Sequence, residues 1–185
     1  MPIYLTNEQT AFIKYLTSLD PEKNNGTLAV LRRGLAGNPA GDLNLYRFIA
    51  RRVPEKDRGS QRESIYYLIA ALYALRPNTP DKHTETGNFG DHMRATAKKR
   101  DDLEAAERRF TALLTARLED LTAPLRQAVM MLKQNDLPVN WSGLFSDLLH
   151  WDHPDKWVQR SWANHFWGYE GPTENQTESQ SDESN

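Results

Sequence analysis

Arginine pairs are the residues in this 185-residue chain whose chemistry is clearest. Arg32 and Arg33 stand side by side before Gly34, and Arg108 and Arg109 follow Glu107. A guanidinium is permanently charged and presents a planar fork of donors that matches phosphate or carboxylate oxygens. Between Arg32 and Arg62 there are eight basic residues against three acidic ones. Such clustering is the footprint of a phosphate-bearing partner, or else a solvated charged face. Near a helix C-terminus one cation complements the helix dipole. That accounts for one member of the Arg32–Arg33 pair and leaves the other for an external anion.

The second pair sits on a helix expected over 101–118. At 100° per residue, Leu103, Ala106, Phe110, Leu113 and Leu114 share one face. Arg108 points away from that face, and Glu104 four residues earlier offers it an ion pair worth about 0.3 kcal/mol. Arg109 lies on the flank, where its stem can rest on the core rim while the guanidinium meets solvent or phosphate. Lys98, Lys99 and Arg100 run directly into Asp101 and Asp102, which reads as a helix start more than as an anion site.

Other groupings have weaker claims. His150, Asp152, His153 and Asp155 invite a metal or hydrolase reading, but Pro154 places them across a helix junction, and Asp152 reads as a helix cap. The chain has no cysteine, which removes thiolate metal sites. It contains no His-Glu-x-x-His, no glycine-rich phosphate loop and no Gly-x-Ser-x-Gly elbow. Asp91-His92 is a common dipeptide. No catalytic residue, metal site or cofactor is expected. All five tryptophans lie between Trp141 and Trp167. Tryptophan can stack on bases, yet Val158, Trp162 and Phe166 recur every four residues, the spacing of a buried stripe.

The elements that position these residues are helical throughout, so the fold class is all-α: a bundle of about eight helices. Thr6 and Gln9 form a capping box before Phe12, Ile13, Leu16 and Leu19. Further helices are expected over 27–35, 43–53 and from Ser60, which with Glu63 caps the Ile65, Leu68, Ile69, Leu72 stripe until Pro77. A loop over 77–88 is the candidate boundary between two packed halves. Beyond it come a short helix near 91–97, the 101–118 helix, one starting near Pro124, one capped by Asn140 and ending at Leu149, and a last one from Pro154 to Trp167. The domain is expected over 1–169.

Residues 170–185 hold five acidic residues and no Lys or Arg. Such a segment is expected to be a disordered acidic tail. It masks the charge of the rest: without it, 23 basic residues stand against 20 acidic ones. No apolar run approaches a membrane span and the first residues lack a signal-peptide pattern, so a cytoplasmic location is expected.

Several short motifs keep a common order: Leu31-Arg32-Arg33-Gly34, Ala70-Ala71-Leu72-Tyr73-Ala74-Leu75, Glu107-Arg108-Arg109-Phe110 with Leu113-Leu114, Leu125-Arg126-Gln127, Pro138-Val139-Asn140-Trp141, Asp147-Leu148-Leu149 with Trp151, and Trp162-Ala163 with Phe166. Over about residues 6–168 the chain resembles the CasB family, the small subunit of the type I-E CRISPR surveillance complex Cascade. The resemblance implies a non-catalytic helical subunit, present twice, lying between the large subunit and the backbone subunit. It implies contact with guide RNA (crRNA), target DNA and the displaced single strand, holding the R-loop through basic residues. By motif match the nucleic-acid role falls to Arg32, Arg33, Arg108, Arg109 and Arg126, with Lys133 as a further candidate. R-loop formation is nearly balanced in base pairing, so modest backbone contacts tip it. The alternative is a helical protein–protein adaptor without direct nucleic-acid contact.

Overall fold

The protein is represented by a computed structural model in which residues 5–78, 84–100 and 102–168 are described. The acidic tail over 170–185 lies outside the described residues, as does part of the 77–88 loop. Among the described residues there are nine α-helices, short 3-10 turns and no strand. They are α1 (Asn7–Thr17), α2 (Asn25–Arg33), α3 (Leu43–Ile49), α4 (Gln61–Leu75), α5 (Phe89–Arg100), α6 (Leu103–Thr115), α7 (Thr122–Gln134), α8 (Trp141–Leu148) and α9 (Trp157–Trp167).

Helix starts follow local side-chain chemistry. The Gln9 amide donates to the Thr6 hydroxyl at 3.3 Å, and the Thr6 amide donates to Gln9 Oε1 at 2.9 Å, completing the expected capping box. Asn140 Oδ1 accepts from the Gly143 amide at 2.9 Å, and Asp102 Oδ1 from that of Ala105 at 3.2 Å. Each satisfies a donor that the first helical turn leaves free. The last helix is a correction. It begins at Trp157 rather than Pro154, and Asp152 is exposed and caps nothing. His150–Lys156 instead forms successive turns, with Lys156 in the left-handed region at φ 50°. Gln159 Nε2 donates to the Trp151 carbonyl at 2.8 Å across those turns, tying α9 to the end of α8.

The centre of the molecule is α4. Its expected stripe is buried, but so is every residue from Ile65 to Leu75. A helix buried all round needs neighbours all round, and α2, α3, α7 and α8 supply them. Phe12 of α1, Tyr66 of α4 and Phe145 of α8 meet pairwise with ring centroids 4.9–5.2 Å apart. The Tyr66 hydroxyl donates to the buried Asp57 carboxylate at 2.9 Å, and Arg62 Nε lies 3.2 Å from its other oxygen. Burial, then the bond to Asp57, raises the Tyr66 pKa. Buried side chains from both sides of the 77–88 loop join one continuous core.

The second half is organised by α5 against α9. The pair approaches closely because Gly90 has no side chain: a Cβ there would overlap the Trp162 carbonyl oxygen and lie 2.8 Å from its carbonyl carbon. The tryptophans act as anchors. Trp141, Trp151 and Trp162 are buried. Their indole N–H groups donate to Asn78 Oδ1 at 3.2 Å, the Ala116 carbonyl at 2.9 Å and Asp147 Oδ2 at 2.6 Å. Trp167 is half-buried and donates to Glu107 Oε1 at 3.0 Å. A buried indole with a partnered N–H is a packing element.

Asp147 carries a pH signature. Burial pushes its carboxyl from 3.8 up to about 6, opposed by the bond from Trp162. A raised folded-state value means its contribution to stability is full below about pH 4 and is lost as pH rises through about 6. Asp147→Asn keeps an acceptor for Trp162 and removes the partly buried charge. We expect it to stabilise the protein at pH 7.5 by on the order of 1–3 kcal/mol. Chemical denaturation at both pH values measures this, and the gain shrinks towards zero at pH 4. His92 works in the opposite direction, since burial lowers its pKa. The comparison with wild type therefore isolates Asp147.

Candidate nucleic-acid interface

All six basic residues singled out in the sequence are exposed. Four of them sit on α2 and α7, helices that both pack against α4 and the Gly34–Ala36 turn. Arg32, in the last turn of α2, donates its Nε to the Ala74 carbonyl at the end of α4 at 3.0 Å. Arg33 donates to the Ala29 carbonyl at 3.3 Å within its own helix. Arg126, near the start of α7, reaches the Leu35 carbonyl at 3.3 Å, just beyond Arg33. Lys133 lies seven residues further along α7, on the same helical face as Arg126. The 3-10 turn over Gly34–Ala36 packs against both α4 and α7, so Arg32 and Arg126, far apart in sequence, hang on one junction.

Arg108 and Arg109 are separate, on α6. Arg108 lies 3.6 Å from Glu104, and both side chains are largely exposed. Such a pair contributes little. Arg109 donates to the Ala105 carbonyl at 3.3 Å. Glu107, between the two faces, holds Trp167, so this motif also fastens α9 to α6.

The electrostatic state of these cations is shared. Arg32, Arg33, Arg109, Arg126 and Lys133 have no carboxylate within 4.0 Å among the described residues. Each of the four arginines uses one N–H on a main-chain carbonyl, and a guanidinium has five. The stem is fixed while most donors stay available to an external anion.

Other sequence candidates resolve into structural parts. Lys99 donates to the Asn135 carbonyl at the end of α7, and the Arg100 side chain lies outside the description. Asp91 accepts from the Asn88 amide at 2.8 Å and sits 2.9 Å from His165 Nδ1. His92 Nε2 accepts from the Asn140 amide at 3.2 Å. His150 Nδ1 lies 2.8 Å from the Ser146 carbonyl and His153 beside Asp155, without a third ligand. Among the described residues no three His, Asp or Glu side chains gather as a metal site. No helix among them is long and apolar enough to cross a membrane.

One feature was not singled out residue by residue in the sequence: a groove of about 710 Å³ whose walls include Arg47, Arg51, Arg52 and Arg58. The excess of basic residues between Arg32 and Arg62 was its only signal. Its concavity depends on α1, which supplies Glu8, Ala11 and Phe12.

The described residues form an all-helical fold that exposes basic side chains on α2, α6 and α7. The chain belongs to the family of CRISPR-associated protein Cse2, also called CasB, whose model matches residues 27–167. A relative from Thermus thermophilus, CRISPR-associated protein Cse2, is 29% identical over 164 residues, covering 85% of this chain and 88% of the relative. The crystal structure of CasB from Thermus thermophilus superimposes with a TM-score of 0.72 at 27% identity, covering 86% of this chain and 97% of that one. A chain of a CRISPR RNA-guided surveillance complex shares the fold, with a TM-score of 0.68 at 22% identity over 87% of this chain and 90% of that one.

Proposed function

We propose that this protein is a non-catalytic subunit of a Cascade-type CRISPR surveillance complex and stabilises the R-loop. Arg32, Arg33, Arg109, Arg126 and Lys133 contact backbone phosphates of the guide RNA–target DNA duplex and the displaced strand. Arg108 contributes after leaving its exposed pair with Glu104. The observation that carries this reading is the set of four exposed arginines braced on main-chain carbonyls, with no carboxylate within 4.0 Å among the described residues. Phosphate contacts of this kind need no base readout, because guide pairing supplies the sequence. Membership of the Cse2 family and the fold shared with a surveillance-complex chain support it.

The test uses the assembled complex. Arg33→Ala and Arg109→Ala are each expected to weaken retention of target DNA about fivefold, from the loss of one charged hydrogen bond. Melting of the subunit should not move, since both side chains are exposed. Retention equal to wild type at moderate salt removes these residues from the interface. Leu103, apolar and 60% exposed on α6, favours a second reading as a protein–protein adaptor. A salt titration of single-stranded DNA binding separates the two: phosphate contacts give a slope of about −0.7 per contact, and an adaptor gives none.

A further inference from the structure

The chain leaves α9 at a point framed by α5 and α6. Along α5, Asn88 Nδ2 donates to Ser161 Oγ at 3.1 Å, Gly90 meets the Trp162 carbonyl, Asp91 lies 2.9 Å from His165 Nδ1, and the Arg94 guanidinium lies against Gly168. Residue numbers rise together on both sides, so α5 and α9 run parallel. Lys98, one turn beyond Arg94 on the same face, therefore stands past the end of α9. On the other side α6 runs antiparallel. Phe110 stacks on Phe166 with centroids 4.3 Å apart, and Glu107 accepts from Trp167. Leu103, four residues before Glu107, also stands past the end of α9.

This exit is a cationic ledge with one apolar end. Arg94 is half-buried, and a Cβ on Gly168 would lie 2.8 Å from each of its terminal nitrogens. Lys98 is exposed. Neither has a carboxylate within 4.0 Å among the described residues. The carboxylates nearby are engaged elsewhere: Asp91 with His165, Glu107 with Trp167, Glu104 with Arg108, and Asp102 with the Ala105 amide. Arg94 complements the negative end of α9, but Lys98 has no such local task. Leu103 is the apolar end, 60% exposed. The residues after Gly168 match this surface in kind. Tyr169 is aromatic, Glu170 is acidic, and Glu174, Glu178, Asp182 and Glu183 repeat the charge with no Lys or Arg among them. A segment tethered this close meets the two cations at the high effective concentration of a short linker.

We infer that this ledge is the docking surface for the chain's own acidic segment, residues 170–185. Tyr169 lies over Leu103, Glu170 and Glu174 take Arg94 and Lys98, and the remainder crosses the exposed face of α6. The sixteen residues span up to about 50 Å when extended. That reaches Arg108 and Arg109, which lie one to two turns beyond Leu103 on α6. The docked segment screens this arginine pair from phosphate. The screening rests on the nucleic-acid reading above; the docking does not.

The chain has no cysteine, so Ser181→Cys gives the full, isotope-labelled chain a single site for a nitroxide. At low salt the nitroxide is expected to broaden the amides of Lys98, Leu103 and Arg108 at least about threefold more than it does in the Arg94→Gln/Lys98→Gln double variant. The difference is expected to vanish at about 1 M salt, where the Debye length is about 3 Å. Lys98→Glu changes an exposed side chain, leaves the Arg94–Gly168 contact alone and is expected to show the same loss. Melting of each variant is the folding control. Equal broadening in wild type and both variants overturns the docking, as does broadening of α1 or α2 in place of α6. Broadening that appears only between separately labelled copies assigns the segment to a second chain and overturns it too. Deleting residues 170–185 is expected to strengthen binding of a labelled oligothymidine about threefold at low salt, and less as salt rises. Docking without strand binding by either chain overturns the nucleic-acid reading alone. Docking with superimposable binding curves overturns the screening.

Discussion

Replacing Trp162 with alanine is expected to destabilise the fold by about 3–5 kcal/mol, the range for truncating a large buried aromatic. Trp162 is fully buried, with ring centroids 5.0 Å from both Phe89 and Trp151. Truncation opens a cavity where α5, α8 and α9 meet. It also strips Asp147 of its indole donor, leaving a partly buried carboxyl without that bond. The loss is therefore expected at the upper end of the range above pH 6, where Asp147 is charged, and to be smaller at pH 5. Urea denaturation at the two pH values, with and without single-stranded DNA, measures it. A variant that keeps its midpoint but loses strand binding would return Trp162 to the role of a base-stacking platform, which its burial opposes.

Gly90→Ala is expected to cost about 3 kcal/mol, the upper end of ordinary overpacking. The added methyl meets backbone, the Trp162 carbonyl, which cannot swing aside as a side chain can. Either α5 and α9 separate or one of them distorts. Alanine's better helix propensity returns at most about 1 kcal/mol. Gly26→Ala is the control: it lies in α2 with nothing within 4 Å of a new Cβ, so it should be neutral or slightly stabilising. Equal melting temperatures for the two variants would mean that α5 and α9 tolerate a wider spacing.

These two sites mark different depths of legibility. Trp162 stands in the Val158, Trp162, Phe166 stripe, and a four-residue spacing alone marks it as core. Gly90 stands in a run with no special pattern, and only the approach of α9 gives it meaning. The family resemblance could be read from short motifs in order, and the matching family model bears it out. The roles proposed for Arg32, Arg33, Arg108, Arg109, Arg126 and Lys133 rest in the sequence only on charge within those motifs. What braces four of those arginines, main-chain carbonyls of Ala74, Ala29, Leu35 and Ala105, had no sequence signal.

The sequence by itself determined what is settled within one or two turns of helix. The Thr6–Gln9 capping box, the Asn140 cap, the apolar stripes and hence the all-α class all follow from groups three or four residues apart. Those interactions form in any context that leaves the segment helical. Tertiary structure decided the rest. It enclosed α4 on every side, where the pattern offered only one stripe. It moved the start of α9 from Pro154 to Trp157, because the bond from Gln159 to the Trp151 carbonyl holds the intervening turns. It brought Arg126 to Leu35 and closed the arginine groove with α1. Each of these outcomes depends on which helix faces meet, and that choice is made by burial summed over the whole core rather than by any local residue preference.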